Sequence, residues 1–188
     1  MTRVRNSALI AGFAVALAFT MPVAAQAPGV VAPPAAAQSP GEIASDYYAR
    51  FILQASQLGL RNPSIQGRVP AGMADCVARV DHKPLGAVIL GLLLAEFTPD
   101  ELRQIDAYAS TSAAAKQFEV LIVESRQAAG LPVAAPVTYD ENDLAVIETF
   151  ENGPLVERLI DVLGWNSGRS FSPSIGDHVT EVFERCRG

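Results

Sequence analysis

From residue 39 onward, apolar residues recur every three or four positions, and three of these stretches open on a capping-box signal. No segment alternates apolar and polar residues long enough to make a strand. That pattern restricts the chain to an all-α fold: a compact bundle of about seven short helices. Ser39-Pro40-Gly41-Glu42 places a capping hydroxyl, a first-turn proline and an answering acid. Ile43, Tyr47, Phe51, Ala55 and Leu58 follow on one stripe, which Gly59 is expected to end. Arg61 to Pro70 reads as a polar loop. Met73, Cys76, Val77 and Val80 mark a short helix. Leu85 to Phe97 is apolar nearly all round, which predicts a central position. Its 13 residues suit a core helix, whereas a bilayer span needs about 20.

Two further capping boxes are read at Thr98-Pro99-Asp100-Glu101 and Thr138-Tyr139-Asp140-Glu141. Leu102, Ile105 and Tyr108 form the face of the first helix, and Leu144, Ile147 and Phe150 that of the second. Between them Ser112 opens a helix closed by Gly130-Leu131-Pro132. Leu155 to Leu163 makes a short helix, and Ile175, Val179, Val182, Phe183 and Cys186 line the last. A shift of 42 residues superposes Leu102, Ile105 and Tyr108 on Leu144, Ile147 and Phe150, Lys116 on Arg158, and Phe118 on Ile160. The two Thr-containing starts lie near one another but out of register under that shift. The expected unit is a helical hairpin occurring twice. The alternative is that any pair of amphipathic hairpins yields such matches.

The N-terminal region has a different character. Arg3 and Arg5 precede an apolar run from Ala8 to Phe19, and Pro22-Val23-Ala24-Ala25 offers small residues at the −3 and −1 positions. Residues 1–25 are therefore expected to be a secretory signal, which implies a periplasmic or secreted protein. An uncleaved anchor is the alternative. Residues 26–38, with Pro28, Pro33 and Pro34, cannot bury a face and read as a disordered spacer. Residues 39–188 form the single all-α domain.

The chain carries 14 basic and 20 acidic residues. Two of the basic residues lie in the signal, which leaves a net charge of −8 and no basic stripe. An acidic surface repels phosphate backbones, so nucleic acid is not an expected partner. In an oxidising compartment the even pair Cys76 and Cys186 points to a disulfide closing about 110 residues. Two buried thiols are the other reading.

The stretch Phe97-Thr98-Pro99-Asp100-Glu101-Leu102-Arg103-Gln104-Ile105-Asp106-Ala107-Tyr108, followed by Ser110, Ser112 and Lys116, resembles the exported bacterial proteins with the domain of unknown function 2059. Ala107-Tyr108 stands where that family has an aromatic pair, and Ser112-Ala113-Ala114 where it has Ser-Pro-Ala-Gly. The resemblance implies an all-α periplasmic protein and assigns no catalytic residue.

No Gly-x-Ser-x-Gly elbow, P-loop, His-Glu-x-x-His or Cys-x-x-Cys is present. One constellation remains. Asp81-His82 and Asp177-His178, with the two cysteines, have the residue types of a zinc site, or of a split hydrolase or metal-dependent enzyme site. A disulfide would consume both sulfurs, so no metal, cofactor or catalytic residue is assigned, and His82 and His178 stay as candidates only. Trp165, the single tryptophan, is a candidate partner anchor. A loop tryptophan folded back on the core is its alternative. Glu141, Asp143, Glu148, Glu151 and Glu157 read as a solvated face. These features favour a non-enzymatic protein that binds another envelope protein or a small apolar ligand.

Overall fold

A computed structural model describes residues 38–128, 130–133, 136–165 and 171–188. The expected signal and residues 26–37 of the expected spacer lie outside them. The described residues fall in one unit, Ala37–Gly188. They form eight α-helices: α1 (Glu42–Ile65), α2 (Met73–Val77), α3 (Lys83–Glu96), α4 (Pro99–Ala109), α5 (Ser112–Ala128), α6 (Glu141–Glu151), α7 (Pro154–Leu163) and α8 (Pro173–Arg187). No strand occurs among the described residues.

The first helix is longer than its sequence suggests. Gly59 does not stop it, because that glycine is not in a left-handed conformation. The stop comes at Gly67 (φ 67°), where Gly67 N donates to Ser64 O and Arg68 N to Pro63 O. Those paired bonds past a left-handed glycine are a Schellman closure. The start also differs. Ser39 is not the side-chain cap; Gly41 and Ala44 donate their backbone N–H groups to the Asp106 carboxylate of α4, at 2.6 and 2.8 Å. A residue 65 positions away thus satisfies two of the orphan donors of α1.

The core face of α1 is Ala44, Tyr48, Ala49, Ile52 and Leu53, one position on from the stripe drawn through the aromatics. Small residues decide this. Ala49 lets α3 approach so closely that a Cβ added at Gly86 would lie 3.9 Å from the Ala49 Cβ. On α3, Leu85, Ile89 and Leu93 are fully buried. Yet α3 is not enclosed all round, since Leu94 is 57% exposed. Helix α3 packs on α1, α4, α7 and α8, and α2 packs on α8. Cys76 and Cys186 are joined in a disulfide with a Cα–Cα distance of 5.6 Å, which ties α8 to α2.

The third capping box lies two residues later than its sequence suggests. Asp140, not Thr138, caps α6, with Asp143 answering. This brings the repeat into register. Thr98 and Glu101 cap α4, Asp140 and Asp143 cap α6, and both pairs differ by 42. The bounds of α4 and α6 and the starts of α5 and α7 differ by the same 42 residues. The two C-caps, Ser110 and Asn152, have nearly the same backbone angles.

Side-chain pairing across the two hairpins is reciprocal. Lys116 of the first donates to Asp143 of the second, while Arg158 of the second donates to Glu101 of the first at 2.7 Å. Lys116 and Arg158 are equivalents under the shift, as are Glu101 and Asp143. Exchange of equivalent partners is the signature of a two-fold, isologous contact. Tyr108 and its equivalent Phe150 stack on each other at the junction, 3.8 Å apart and 2° from parallel.

Candidate functional site

The Tyr108–Phe150 stack separates two cavities. Its position follows from the local fold: each ring sits in the last turn of a capped 11-residue helix, on the side turned toward the other hairpin. The Tyr108 hydroxyl is held by the Gln117 side chain.

The outer cavity is an open groove of about 450 Å³ between α4 and α6. Four pairs of repeat equivalents line it: Gln104 and Val146, Ala107 and Thr149, Tyr108 and Phe150, Thr111 and Gly153. Ala145, Pro154 and Leu155 complete the wall, and no lining residue is charged. Its polar groups are one amide and three hydroxyls.

The inner cavity is smaller, about 170 Å³. Tyr47, Tyr48 and Phe51 of α1 form one side, and Val156, Leu159 and Ile160 of α7 another. Gln117 and Leu121 of α5, the stacked pair and Trp165 close it. Glu151 is the one charged residue on this wall, and Gln117 Nε2 donates to its carboxylate at 2.7 Å. Trp165 packs with its ring centroid 5.6 Å from those of both Tyr48 and Phe51. It is folded back against the core as a cavity wall. Burial pushes the Tyr47 phenol up to about 12, with a smaller contribution from Tyr139. Tyr48 and Tyr108 are raised as well, burial again the first cause. All three rings therefore stay neutral at physiological pH.

The histidines lie elsewhere. His82 Nε2 meets Asp46 Oδ1 at 2.6 Å, and Arg50 pairs with the same aspartate at 2.7 Å. This cluster borders a pocket with Leu53, Gln54 and Val77. His178 borders a separate pocket with Pro84, Glu181, Glu184 and Arg185, and its Nε2 is buried without a hydrogen-bond partner among the described residues. His82 and His178 thus line different pockets. Among the described residues no group of three or more His, Cys, Asp or Glu side chains is placed to hold a metal ion.

The acidic segment of α6 is not uniformly solvated. Asp143 is only 1% exposed, covered by Lys116 and by the Ser112 hydroxyl at 3.1 Å. The cover is thin, since Lys116 is itself about one-third exposed. The Lys116 hydrogen bond, foremost, holds the Asp143 carboxyl below its ordinary value, and the same bond raises Lys116.

The sequence singled out Tyr108 and Phe150 as repeat equivalents but gave no sign that they touch. The inner cavity was missed altogether. The available signal was the surplus of aromatics at Tyr47, Tyr48 and Phe51, more than one helix stripe can hold. Comparison with protein-family models, curated proteins and solved structures finds no match for this chain.

Proposed function

We propose that this is an exported, non-enzymatic binding protein whose outer groove takes an uncharged apolar ligand. The observation that carries the reading is the groove itself: about 450 Å³, within the range of small-ligand sites, with apolar walls and a few hydroxyl and amide groups. Such groups orient a ligand by hydrogen bonds and transfer no proton near neutral pH. The basic, apolar and small-residue segments of residues 1–25 support export, as does the resemblance to the family with the domain of unknown function 2059. Among the described residues no helix is long and apolar enough to cross a membrane.

The test uses a neutral apolar dye, N-phenyl-1-naphthylamine. It should bind saturably, and Ala107→Arg or Thr149→Arg should reduce binding at least tenfold, because both residues are exposed on the groove wall. Leu94→Arg, on the exposed side of α3, should not change it. Equal dye binding by all variants would sink the reading. Export is tested separately by mass spectrometry of the protein from its native host. A mature chain beginning at Gln26 is expected, and an intact Met1 in a cytosolic fraction would refute it.

A further inference from the structure

The inner cavity has walls that suit one class of ligand. Six aromatic rings surround it: Tyr47, Tyr48, Phe51, Tyr108, Phe150 and Trp165. Neighbouring rings cross steeply, at 83° for Tyr47 with Tyr48, 71° for Tyr48 with Trp165 and 80° for Phe51 with Trp165. The rings meet one another edge to face rather than in one layer, so the cavity has aromatic walls on several sides. A ring face is the negative end of the aromatic quadrupole and attracts a cation. The one ionised group on the wall has the same sign: Glu151, fixed by Gln117. No lysine, arginine or histidine lines the cavity. The raised tyrosine pKa values keep the phenols neutral, so each ring retains its quadrupole.

Size and hydrogen bonding narrow the cation. A volume of about 170 Å³ lies below the range of drug-sized ligand sites and suits a compact head group. A primary ammonium carries three N–H donors, each of which must find an acceptor once water is stripped away. Ten of the twelve lining residues are aromatic or aliphatic, and the Gln117 amide oxygen and one Glu151 oxygen are already taken by Tyr108 and Gln117, so the wall suits methyl groups better than N–H donors. A methylated ammonium has no N–H to satisfy.

We propose that the inner cavity binds a quaternary ammonium group, with the aromatic walls enclosing its methyls and Glu151 as its counter-charge. This site stands independently of the outer groove and of any ligand there.

The single tryptophan lies in the cavity wall and serves as the reporter. Choline chloride is titrated into the purified full chain while Trp165 fluorescence and the heat of binding are followed. Sodium chloride controls for ionic strength. Choline should give a saturable signal and bind at least tenfold more tightly than 3,3-dimethyl-1-butanol, its uncharged counterpart of the same shape. Ethanolamine should also bind at least tenfold more weakly. Glu151 is exposed, so Glu151→Gln should keep the far-ultraviolet circular dichroism of the parent while weakening choline about tenfold and leaving the neutral alcohol unchanged. Ala107→Arg, which blocks the outer groove, should leave choline binding intact. Equal affinity for choline and the neutral alcohol would make the cavity merely apolar and overturn the proposal. Equal affinity for ethanolamine would overturn the quaternary class. Neither fluorescence change nor heat with any probe would overturn the site itself.

Discussion

Replacing Asp106 by alanine tests whether α1 is anchored at its start by a carboxylate from the first hairpin. The side chain is 9% exposed and accepts from Gly41 N at 2.6 Å and Ala44 N at 2.8 Å. Both donors belong to the first turn of α1, where no carbonyl of the helix itself can reach them. A hydrogen bond to a charged acceptor contributes about 1.5–3 kcal/mol net, and a buried donor left unpaired costs about 1–3 kcal/mol. The two figures describe one loss from opposite sides and are not summed. The carboxylate also faces the positive end of the helix dipole, which adds about 0.5–1 kcal/mol. Water entering the vacated space recovers part of this. The expected destabilisation is about 3–5 kcal/mol, a large fraction of the 5–15 kcal/mol typical of a domain. For a domain of this size it lowers Tm by roughly 10 °C. Asp106→Asn, which keeps one acceptor and turns an amide NH₂ toward the other donor, should cost about half as much. Asp100→Ala is the control on the same helix, since its pair with Arg103 is exposed and its loss should stay under about 0.5 kcal/mol. Urea unfolding followed by Trp165 fluorescence gives the free energies, and amide exchange at Ala44 reports the local bond. A loss below about 1 kcal/mol for Asp106→Ala, with an unchanged urea slope, would refute the reasoning.

The remaining predictions concern other supports of the same fold. Removing the Cys76–Cys186 bridge with the double serine variant frees a loop of sequence separation 110 and should cost about 5 kcal/mol in the chain-entropy model, read as a lower urea midpoint. Two glycines should respond with opposite sign in thermal melts. At Gly164 φ is 82° and an added Cβ would lie 2.2 Å from Ser172 N, so Gly164→Ala should cost more than about 3 kcal/mol. Gly59, inside α1 with nothing within 4 Å of an added Cβ, should gain about 0.5–1 kcal/mol as alanine. Acid stability should depend on Asp143 and Glu101. The Lys116 hydrogen bond lowers Asp143 from its ordinary 3.8, and the Thr98 backbone N–H, foremost, lowers Glu101 from 4.5. A folded value below the unfolded one means stability that is complete above the unfolded value and is lost as pH falls through the folded one. Asp143→Asn should therefore flatten the stability curve below about pH 4, and an unchanged acid limb would contradict the pairing. Lys116 is raised above 10.5, so its contribution is complete below that pH and is lost as pH rises through the folded value.

Helix content was legible in the sequence because periodicity is a local property, and so were the helix ends whose signals stand alone. Gly130 is one: it is left-handed at φ 69°, with Leu131 N donating to Arg126 O. The misreadings arose where two local signals competed. Thr138 and Glu141 have capping-box spacing, but so do Asp140 and Asp143. The second pair prevails because it also places Asp143 against Lys116 and Ser112 of α5. Gly59 and Gly67 competed to end α1, and Gly67 is the one with a left-handed backbone and paired closing bonds. Ser39 lost its capping role to Asp106, a partner that no window of local sequence contains. The inner cavity was illegible for the same reason. Its walls come from α1, α4, α5, α6, α7 and Trp165, and only the packed chain brings them together.

The two hairpins meet as equals but are used unequally, and that inequality accounts for the two cavities. Leu102 and Ile105 of the first hairpin are buried, and Asp106 anchors α1. Their equivalents in the second hairpin are Leu144, which is 53% exposed, the half-buried Ile147 and the exposed Glu148. One outer face is thus covered by a helix while its counterpart meets solvent. At the junction, the side of the Tyr108–Phe150 stack that α1 does not reach keeps matched walls from both repeats and stays open as the uncharged groove. On the other side α1 brings in Tyr47, Tyr48 and Phe51, Trp165 folds over from the end of α7, and the space shrinks to a small aromatic cavity with one acid. The pseudo-two-fold that exchanges the hairpins maps the groove onto itself, since equivalent residues line both of its walls, and so it does not relate the groove to the inner cavity. The helix added to one side makes them differ in size and charge, so the two cavities are suited to different ligands.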